Sequence, residues 1–160
     1  MQMPSSISTR LQYQHKSLVD IVDTLSDEQI RQNIIPGKWS IFEQIVHLQT
    51  YQHVFVSRMR ELLEKENPLF PRYTAGEDPE FAEYCGKSTR EVMQDLLSVR
   101  KQMAAEMLIF PSADLARKAT HPFFGEMNLL QWLNFFLLHE AHHMFAIFKM
   151  AAELKKAAKN

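Results

Sequence analysis

Four long stretches of the chain repeat their apolar residues at the spacing of one helix face, and this pattern constrains the fold more than any other feature. The first runs from about Ile7 to Leu25, and the second begins at Ser40 and continues to about Lys65. The third begins at Ser88 and stops before Pro111, and the fourth runs from near Asn128 to about Lys156. Helices with one apolar face bury that face against one another. The pattern therefore predicts an all-α protein folded as a four-helix bundle.

Capping residues and turn residues mark where these helices begin and end. Ser40 and Ser88 are each followed three residues later by a glutamate, a pairing in which both side chains bond free backbone N–H groups at a helix start. The segment from Glu66 to Lys87 contains three prolines and two glycines, and it predicts a long loop between the second and third helices. Loops of this length inside a compact domain are often functional. No alternating strand pattern appears, so no sheet is expected.

The composition limits the classes of partner. With 18 basic and 19 acidic residues, the formal net charge is −1, which lacks the basic excess typical of nucleic-acid binding. The single cysteine, Cys85, excludes an internal disulfide. Residues 1–14 contain no apolar run of signal-peptide length, and the longest uncharged stretch, Met127 to His139, is far shorter than a membrane span. A chain of 160 residues with these properties predicts one domain over 1–160, in the cytoplasm, with no nucleic-acid or membrane partner.

Three of the seven histidines stand together near the end of the chain, where residues 139–143 read His-Glu-Ala-His-His. On a helix, His139 and His143 lie on one face, one turn apart, and two imidazoles at this spacing can bind the same transition metal ion. Trp132 and Phe136 fall on the same side, so both histidines follow an apolar stripe. His142 points elsewhere and is expected to face solvent.

Two histidines do not complete a metal site, and the pattern alone leaves the third ligand open. The candidates are His15, His47, His53 and His121. His47 lies at the edge of the apolar stripe of the second helix, and His15 lies within that of the first. By contrast, His53 is expected to face solvent, and His121 precedes a proline in a loop. A histidine on an apolar face is more often a hydrogen-bonded core residue than a ligand, so spacing does not decide among them.

Two other metal sites match part of the same run, but the rest of the chain argues against both. Residues 139–143 match the His-Glu-x-x-His pattern of zinc proteases, yet only 17 residues follow and the expected downstream ligand is absent. Residues 140–143 also match the Glu-x-x-His unit of a di-iron bundle, which needs a second such unit that the chain lacks. Neither alternative is supported by the chain as a whole.

Two segments together resemble the DinB/YfiT-like proteins. Residues 39–48, Trp-Ser-Ile-Phe-Glu-Gln-Ile-Val-His-Leu, are similar to the Trp-Ser-x-x-Glu-x-x-x-His-Leu start of the family's second helix. Residues 125–143 begin Gly-Glu-Met-Asn-Leu-Leu-Gln-Trp and end His-Glu-Ala-His-His, which is similar to the approach to the family's last helix and its His-x-x-x-His pair. The order of the segments, their separation and the chain length agree, so the resemblance covers nearly the whole chain.

The resemblance implies a four-helix bundle, commonly a homodimer, in which three histidines hold a divalent metal ion. The ligands carried over are His47, His139 and His143. It also implies a small-molecule substrate and either a metal-dependent hydrolase or a transferase that activates a low-molecular-weight thiol such as bacillithiol. Three imidazoles suit Zn²⁺ or Ni²⁺ first and Fe²⁺ as the alternative, and they leave positions open for water or substrate. The chain departs from the family at Ala146, where members often have glutamine.

Further residues are candidates for supporting roles. Tyr51 lies one turn after His47 on the same side of the second helix, and it is expected either to face the metal cavity or to pack in the core. Glu140 points away from His143 and is expected either to support a ligand on a neighbouring helix or to reach solvent or a second copy of the chain. The Glu66–Lys87 loop, with Phe123 and Phe124, is expected to shape the substrate entrance. If the departure at Ala146 removes the chemistry, the chain is instead a non-catalytic bundle that binds a partner or a second copy.

Overall fold

The computed structural model describes residues 2–157, which form a bundle of helices with one short hairpin. The elements in chain order are α1 Ser5–Tyr13, α2 Lys16–Val22, α3 Asp27–Arg31, α4 Ile41–Glu64, α5 Pro79–Cys85, α6 Thr89–Met107, α7 Ser112–Leu115, β1 Lys118–His121, β2 Gly125–Asn128 and α8 Leu129–Ala157. The predicted four-helix bundle is confirmed, with α1 and α2 together forming one of its four long members. Within the described residues, no helix combines the length and apolarity needed to span a membrane. The single domain over 1–160 stays a prediction, because residues 1 and 158–160 lie outside this range.

A layer of polar side chains crosses the middle of the bundle and separates two apolar clusters. One cluster is built around Phe55 and Trp132, and the other around Ile45 and Ile147. Between these two sets, every long helix contributes buried polar residues to the layer: His15, His47, Gln49, Thr50, Gln52, Arg100 and Glu140. Burying polar groups is costly unless they bond one another, so this layer restricts how the helices can face each other.

The predicted continuous first helix, Ile7 to Leu25, is wrong, because the chain is interrupted where it meets the polar layer. The backbone tightens at Gln14 and His15, with i→i+3 bonds from Ser17 N–H to the Gln14 carbonyl and from Leu18 N–H to the His15 carbonyl. The Gln14 side chain turns to α8 instead, where it donates to the Leu137 carbonyl at 2.8 Å. Apolar spacing continues through the interruption, which is why the sequence pattern did not reveal it.

The segment predicted as a long loop, Glu66 to Lys87, contains ordered structure of its own. A short 3₁₀ turn covers Ala75–Glu77, and α5 follows at Pro79, where proline is well tolerated at a helix start. Asp78 caps α5 by accepting a hydrogen bond from the Glu80 N–H at 2.9 Å. These elements hold the segment against α4, so the loop forms part of the bundle surface rather than a free lid.

A two-stranded hairpin, which the sequence analysis did not predict, precedes α8. Strand β1 pairs antiparallel with β2, so that His121 faces Gly125 across the turn. Gly125 has a φ of +72°, a conformation in which a side chain would be strained, and the preceding residues make the three-residue turn. Strands of four residues are too short to show alternation. The Nε1–H of Trp132 donates to the Ala119 carbonyl at 3.3 Å and ties the hairpin to the bundle.

Candidate metal centre

Three histidine side chains meet in the polar layer between α4 and α8. The Nε2 atom of His139 lies 3.2 Å from Nε2 of His47 and 3.1 Å from Nε2 of His143. The possible ligand atoms of the three residues all lie within 4.8 Å of one another. His47 comes from α4, and the other two come from adjacent turns of α8. The fold thus brings together residues that are 92 positions apart in the chain.

The hydrogen bonding of the cluster fits a bound cation. The Oε1 atom of Gln44 lies 2.6 Å from Nδ1 of His143, and an amide oxygen only accepts, so Nδ1 donates and Nε2 carries a lone pair. The Nε2 atom of His139 faces two neighbouring nitrogens but can donate to only one of them. A single positive ion bound by the three Nε2 atoms would satisfy all of them at once, as Zn²⁺ and similar ions do when bound by imidazoles.

Burial keeps the three rings uncharged. It lowers the pKa of His47 to about 4, against an opposing effect of Asp78. It is also the main reason that the pKa of His139 and that of His143 are lowered to about 3, with a second contribution from the neighbouring histidines. At neutral pH all three imidazoles are therefore unprotonated on one nitrogen, which is the form that ligates a metal.

Aromatic contacts, rather than hydrogen bonds at Nδ1, hold two of the rings in place. The buried Nδ1 atoms of His47 and His139 have no hydrogen-bond partner among residues 2–157. Trp39 packs on His47 with ring centroids 5.1 Å apart, and Tyr73 packs on it at 5.7 Å. Tyr51 packs on His139 at 4.3 Å. Ring packing thus fixes the direction in which each Nε2 points.

An open cavity of about 520 Å³ lies beside the cluster. His47 and His139 form part of its wall, whereas His143 does not. Most of the remaining wall is aromatic: Trp39, Tyr51, Tyr73, Phe123, Phe124 and Phe135. A largely apolar cavity with a few polar groups at one place is typical of a small-molecule site. A ligand inside it would meet two of the three imidazoles.

The predicted entrance residues do line this cavity. The segment between α4 and α6 contributes Tyr73, whose hydroxyl donates to the Asp78 carboxylate at 2.8 Å. The hairpin turn contributes Phe123 and Phe124, which are 84% and 55% exposed. Their backbone N–H groups both donate to Nδ1 of His121 at 3.1 Å, so this histidine shapes the turn that presents them.

Tyr51 takes both of the positions expected for it: its buried side chain packs in the core, and it also lies in the cavity wall beside His139. Burial raises the pKa of its hydroxyl, and Arg58, which lies next to the hydroxyl, partly offsets this effect. The hydroxyl therefore stays protonated at neutral pH and can donate a hydrogen bond into the cavity.

The other four histidines do not belong to the cluster, although the His142 ring packs on His143 with centroids 5.3 Å apart and His121 lines the same cavity as His47 and His139. His15 is buried next to a different cavity between α2 and α6, and His142 is exposed as predicted. The predicted solvent-facing position of His53 holds in part, because its side chain is 32% exposed and its Nδ1 lies 2.6 Å from a Glu80 carboxylate oxygen. His121 ends strand β1 rather than lying in a loop.

Glu140 forms a buried ion pair instead of supporting a ligand histidine or reaching solvent, which corrects the roles expected for it. One carboxylate oxygen pairs with the Arg100 guanidinium, and the other accepts from Gln14 at 2.8 Å and from Arg100 at 3.3 Å. Arg100 is fully buried and also donates to Gln52 at 2.8 Å. Both charges are satisfied within the polar layer, and neither contacts a histidine of the cluster.

Sequence reasoning did not identify Gln44 or Trp39 as site residues. Gln44 lies one turn before His47 on α4, a spacing that was a usable signal for a residue on the same side of the helix. Trp39 precedes the helix and belongs to the motif that carries the family resemblance. Its contact with His47 depends on the backbone conformation just before α4, and helical spacing does not predict that conformation.

Comparison with known proteins places the chain in a family. Residues 10–147 match the model of the DinB superfamily. The uncharacterized protein YuaE of Bacillus subtilis is 27% identical over 145 residues, a match that covers 83% of this chain and 90% of YuaE.

Solved structures share the fold. YfiT from Bacillus subtilis, described as a probable metal-dependent hydrolase with an unusual four-helix bundle topology, superposes with a TM-score of 0.78 at 17% identity, over 94% of this chain and 86% of that one. TT2238, a four-helix bundle protein, superposes with a TM-score of 0.63 at 22% identity, over 89% of this chain and 95% of that one. The family match, which covers most of the chain, and the shared bundle lead to one conclusion: the chain belongs to the DinB superfamily.

Proposed function

We propose that this protein is a metal-dependent hydrolase or low-molecular-weight thiol transferase in which His47, His139 and His143 hold one divalent ion. The observation that carries the proposal is the convergence of three neutral imidazoles, with Nε2 separations of 3.1 and 3.2 Å, at the wall of an open aromatic cavity. The description of YfiT as a probable metal-dependent hydrolase supports it. Zn²⁺ or Ni²⁺ is the preferred ion for this donor set, with Fe²⁺ as the alternative.

The side chains around the cluster divide the work of such a site. When bound, the ion lowers the pKa of a coordinated water or thiol and so supplies a nucleophile at neutral pH. Gln44 fixes the orientation of His143 from α4, so this ligand has a hydrogen-bonded support even though Ala146 replaces the glutamine often found in the family. The protonated Tyr51 hydroxyl is placed to donate to charge that develops on a substrate. The aromatic side chains of the cavity wall keep water away from the apolar part of the substrate.

The proposed substrates are small molecules, with a low-molecular-weight thiol such as bacillithiol as the nucleophile in the transferase reaction. A cavity of about 520 Å³ is large enough for compounds of this size. Such thiols are abundant in reducing compartments, and Cys85 is a free thiol in the structure, so a cytoplasmic setting belongs to the same proposal.

Elemental analysis of protein purified without chelator tests the proposal, and we expect about one divalent ion per chain. Ion-loaded protein should then accelerate thioether formation between a small thiol and an alkyl halide, or hydrolysis of an activated ester. Mass spectrometry of the product measures both reactions. The same protein stripped with EDTA serves as the control and should lose the acceleration. Absence of a stoichiometric ion would instead favour the non-catalytic binding module.

We also propose that two copies of the chain associate through the outer face of α8. Leu138, Phe145 and Phe148 are 55%, 61% and 54% exposed there, and their spacing places them on one stripe of the helix. Light scattering coupled to gel filtration should give twice the mass of one chain. Phe145→Glu should convert this species to a monomer, because it introduces a charge into the buried apolar contact. A wild-type protein that elutes as a monomer would exclude this dimer.

A further inference from the structure

Two arginines of the bundle are buried, and only one of them is neutralised. Arg100 is fully buried and pairs with Glu140. Arg58 is 8% exposed, yet no carboxylate oxygen lies within 4.0 Å of its guanidinium in residues 2–157. The guanidinium donates to the Pro71 carbonyl, lies next to the Tyr51 hydroxyl and packs over the Phe70 ring at 5.6 Å, and none of these partners carries a charge. A buried cation without a counter-charge is unfavourable, and residues in this state commonly bind an anionic ligand.

The acidic residues near Arg58 are already engaged elsewhere. Asp78 and Glu80 share a surface cavity with Arg58. The Asp78 carboxylate accepts from the Tyr73 hydroxyl at 2.8 Å and from the Glu80 N–H at 2.9 Å. The Glu80 carboxylate lies 2.6 Å from Nδ1 of His53. These contacts hold both carboxylates in other interactions and leave the charge of Arg58 for a group from outside the chain.

The position of Arg58 connects it to the histidine cluster. Arg58 lies in the wall of the same cavity as His47 and His139. It follows Tyr51 by two helical turns on one face of α4, and long side chains in helices point back towards the N-terminus, which is towards Tyr51. Tyr51 in turn packs on His139. A ligand that pairs with Arg58 therefore extends along the aromatic wall to the imidazoles.

We propose that this cavity binds a small organic carboxylate whose negative group pairs with Arg58 and whose apolar body lies against Phe124 and Phe135. One buried guanidinium balances one negative charge and matches the two oxygens of a carboxylate in a fork geometry. The second arginine of the wall, Arg72, is exposed and screened by solvent, so a single charge is favoured over a phosphate dianion. The proposal rests on the proposed function for any reaction of the ligand at the end that faces the histidines. Binding of the carboxylate to Arg58 does not require the ion.

Binding of three probes to EDTA-stripped protein tests the proposal: 3-phenylpropionate, its neutral amide 3-phenylpropanamide, and phenyl phosphate. Stripped protein is used because a carboxylate can also ligate a metal directly. By calorimetry, wild-type protein should bind the carboxylate about ten-fold or more tightly than the amide. Arg58→Met should remove this preference and leave amide binding unchanged. Arg60→Met, an exposed change on the same helix, should behave as wild type.

The outcomes separate this proposal from the proposed function. Equal binding of carboxylate and amide by wild-type protein would overturn it, as would a preference that Arg58→Met leaves intact. Tighter binding of phenyl phosphate than of the carboxylate would overturn the choice of a single charge. If Arg58→Met does not fold, Arg58→Lys should keep part of the preference while losing the fork contact. If protein purified without chelator carries no stoichiometric ion while the stripped protein still prefers the carboxylate, the anion site is supported and the metal-dependent reaction is contradicted.

Discussion

Replacing His47 with alanine is expected to reduce the bound ion from about one per chain to close to zero. The variant leaves two imidazoles of the cluster, those of His139 and His143 on α8, and the contact of 3.2 Å between Nε2 of His139 and Nε2 of His47 is lost. Two ligands on one helix turn bind an ion far more weakly than three that close around it. Elemental analysis after gel filtration measures the loss, and it should be accompanied by loss of any thiol transfer or hydrolysis.

His142→Ala is the matched control for this prediction. His142 stands next to His143 in the sequence but is exposed and outside the cluster. Its removal takes away one imidazole from the chain without touching the three converging Nε2 atoms. We expect full ion retention and unchanged activity. Retention by His47→Ala, or loss in His142→Ala, would show that the ligands are assigned wrongly, and the buried His15 would be the next residue to test.

Replacing Glu140 with glutamine is expected to lower the free energy of unfolding by about 3–5 kcal/mol. Arg100 is fully buried and Glu140 is 3% exposed, so the variant leaves a guanidinium inside the bundle without its counter-charge. Gln14 also loses its charged acceptor on α8. Equilibrium unfolding in urea measures the change, provided the slope of the transition stays that of the wild type. Ion content should be unaffected, because the carboxylate bonds Arg100 and Gln14 rather than a histidine.

Two further variants test whether the loss of stability in Glu140→Gln comes from the unpaired buried charge. Glu126→Gln breaks the exposed pair with Lys118, both residues being about half exposed, and should cost no more than about 1 kcal/mol. The double change Arg100→Met with Glu140→Leu removes both charges and should recover much of the loss. A loss below about 1 kcal/mol for Glu140→Gln alone would contradict the view that this pair is a main electrostatic element of the polar layer.

The long helices were predictable because local signals and burial agree along them. Ser40 and Ser88 each accept from the N–H of the glutamate three residues later, as the capping pattern predicted, and α4 and α6 begin at the next residue. The interruption at Gln14 was not predictable from spacing, because it depends on bonds to α8, more than 120 residues away. The hairpin was missed for a related reason: four-residue strands held by Trp132 carry too little pattern of their own.

The candidate site likewise contains some features that the sequence predicts and others that depend on contacts between distant residues. The pairing of His139 with His143 follows from helical periodicity, whereas the sequence pattern left four candidates for the third ligand and only the family resemblance selected His47. The charge on Glu140 was visible, but its partner Arg100 lies 40 residues away on α6, so the ion pair required the fold. The same holds for Arg58, whose lack of a counter-charge is a property of three-dimensional packing.

The division of the three imidazoles between α4 and the last described helix affects the order of events as the protein is made. His47 emerges from the ribosome long before His139 and His143, and it has no partner for an ion until those residues have been synthesised and α8 has docked. In the proposed metal site, ion binding therefore belongs to the end of folding, after α8 has docked. A translation product that stops before α8 carries a single imidazole of the three, so under the same proposal it would not compete with the finished protein for the ion.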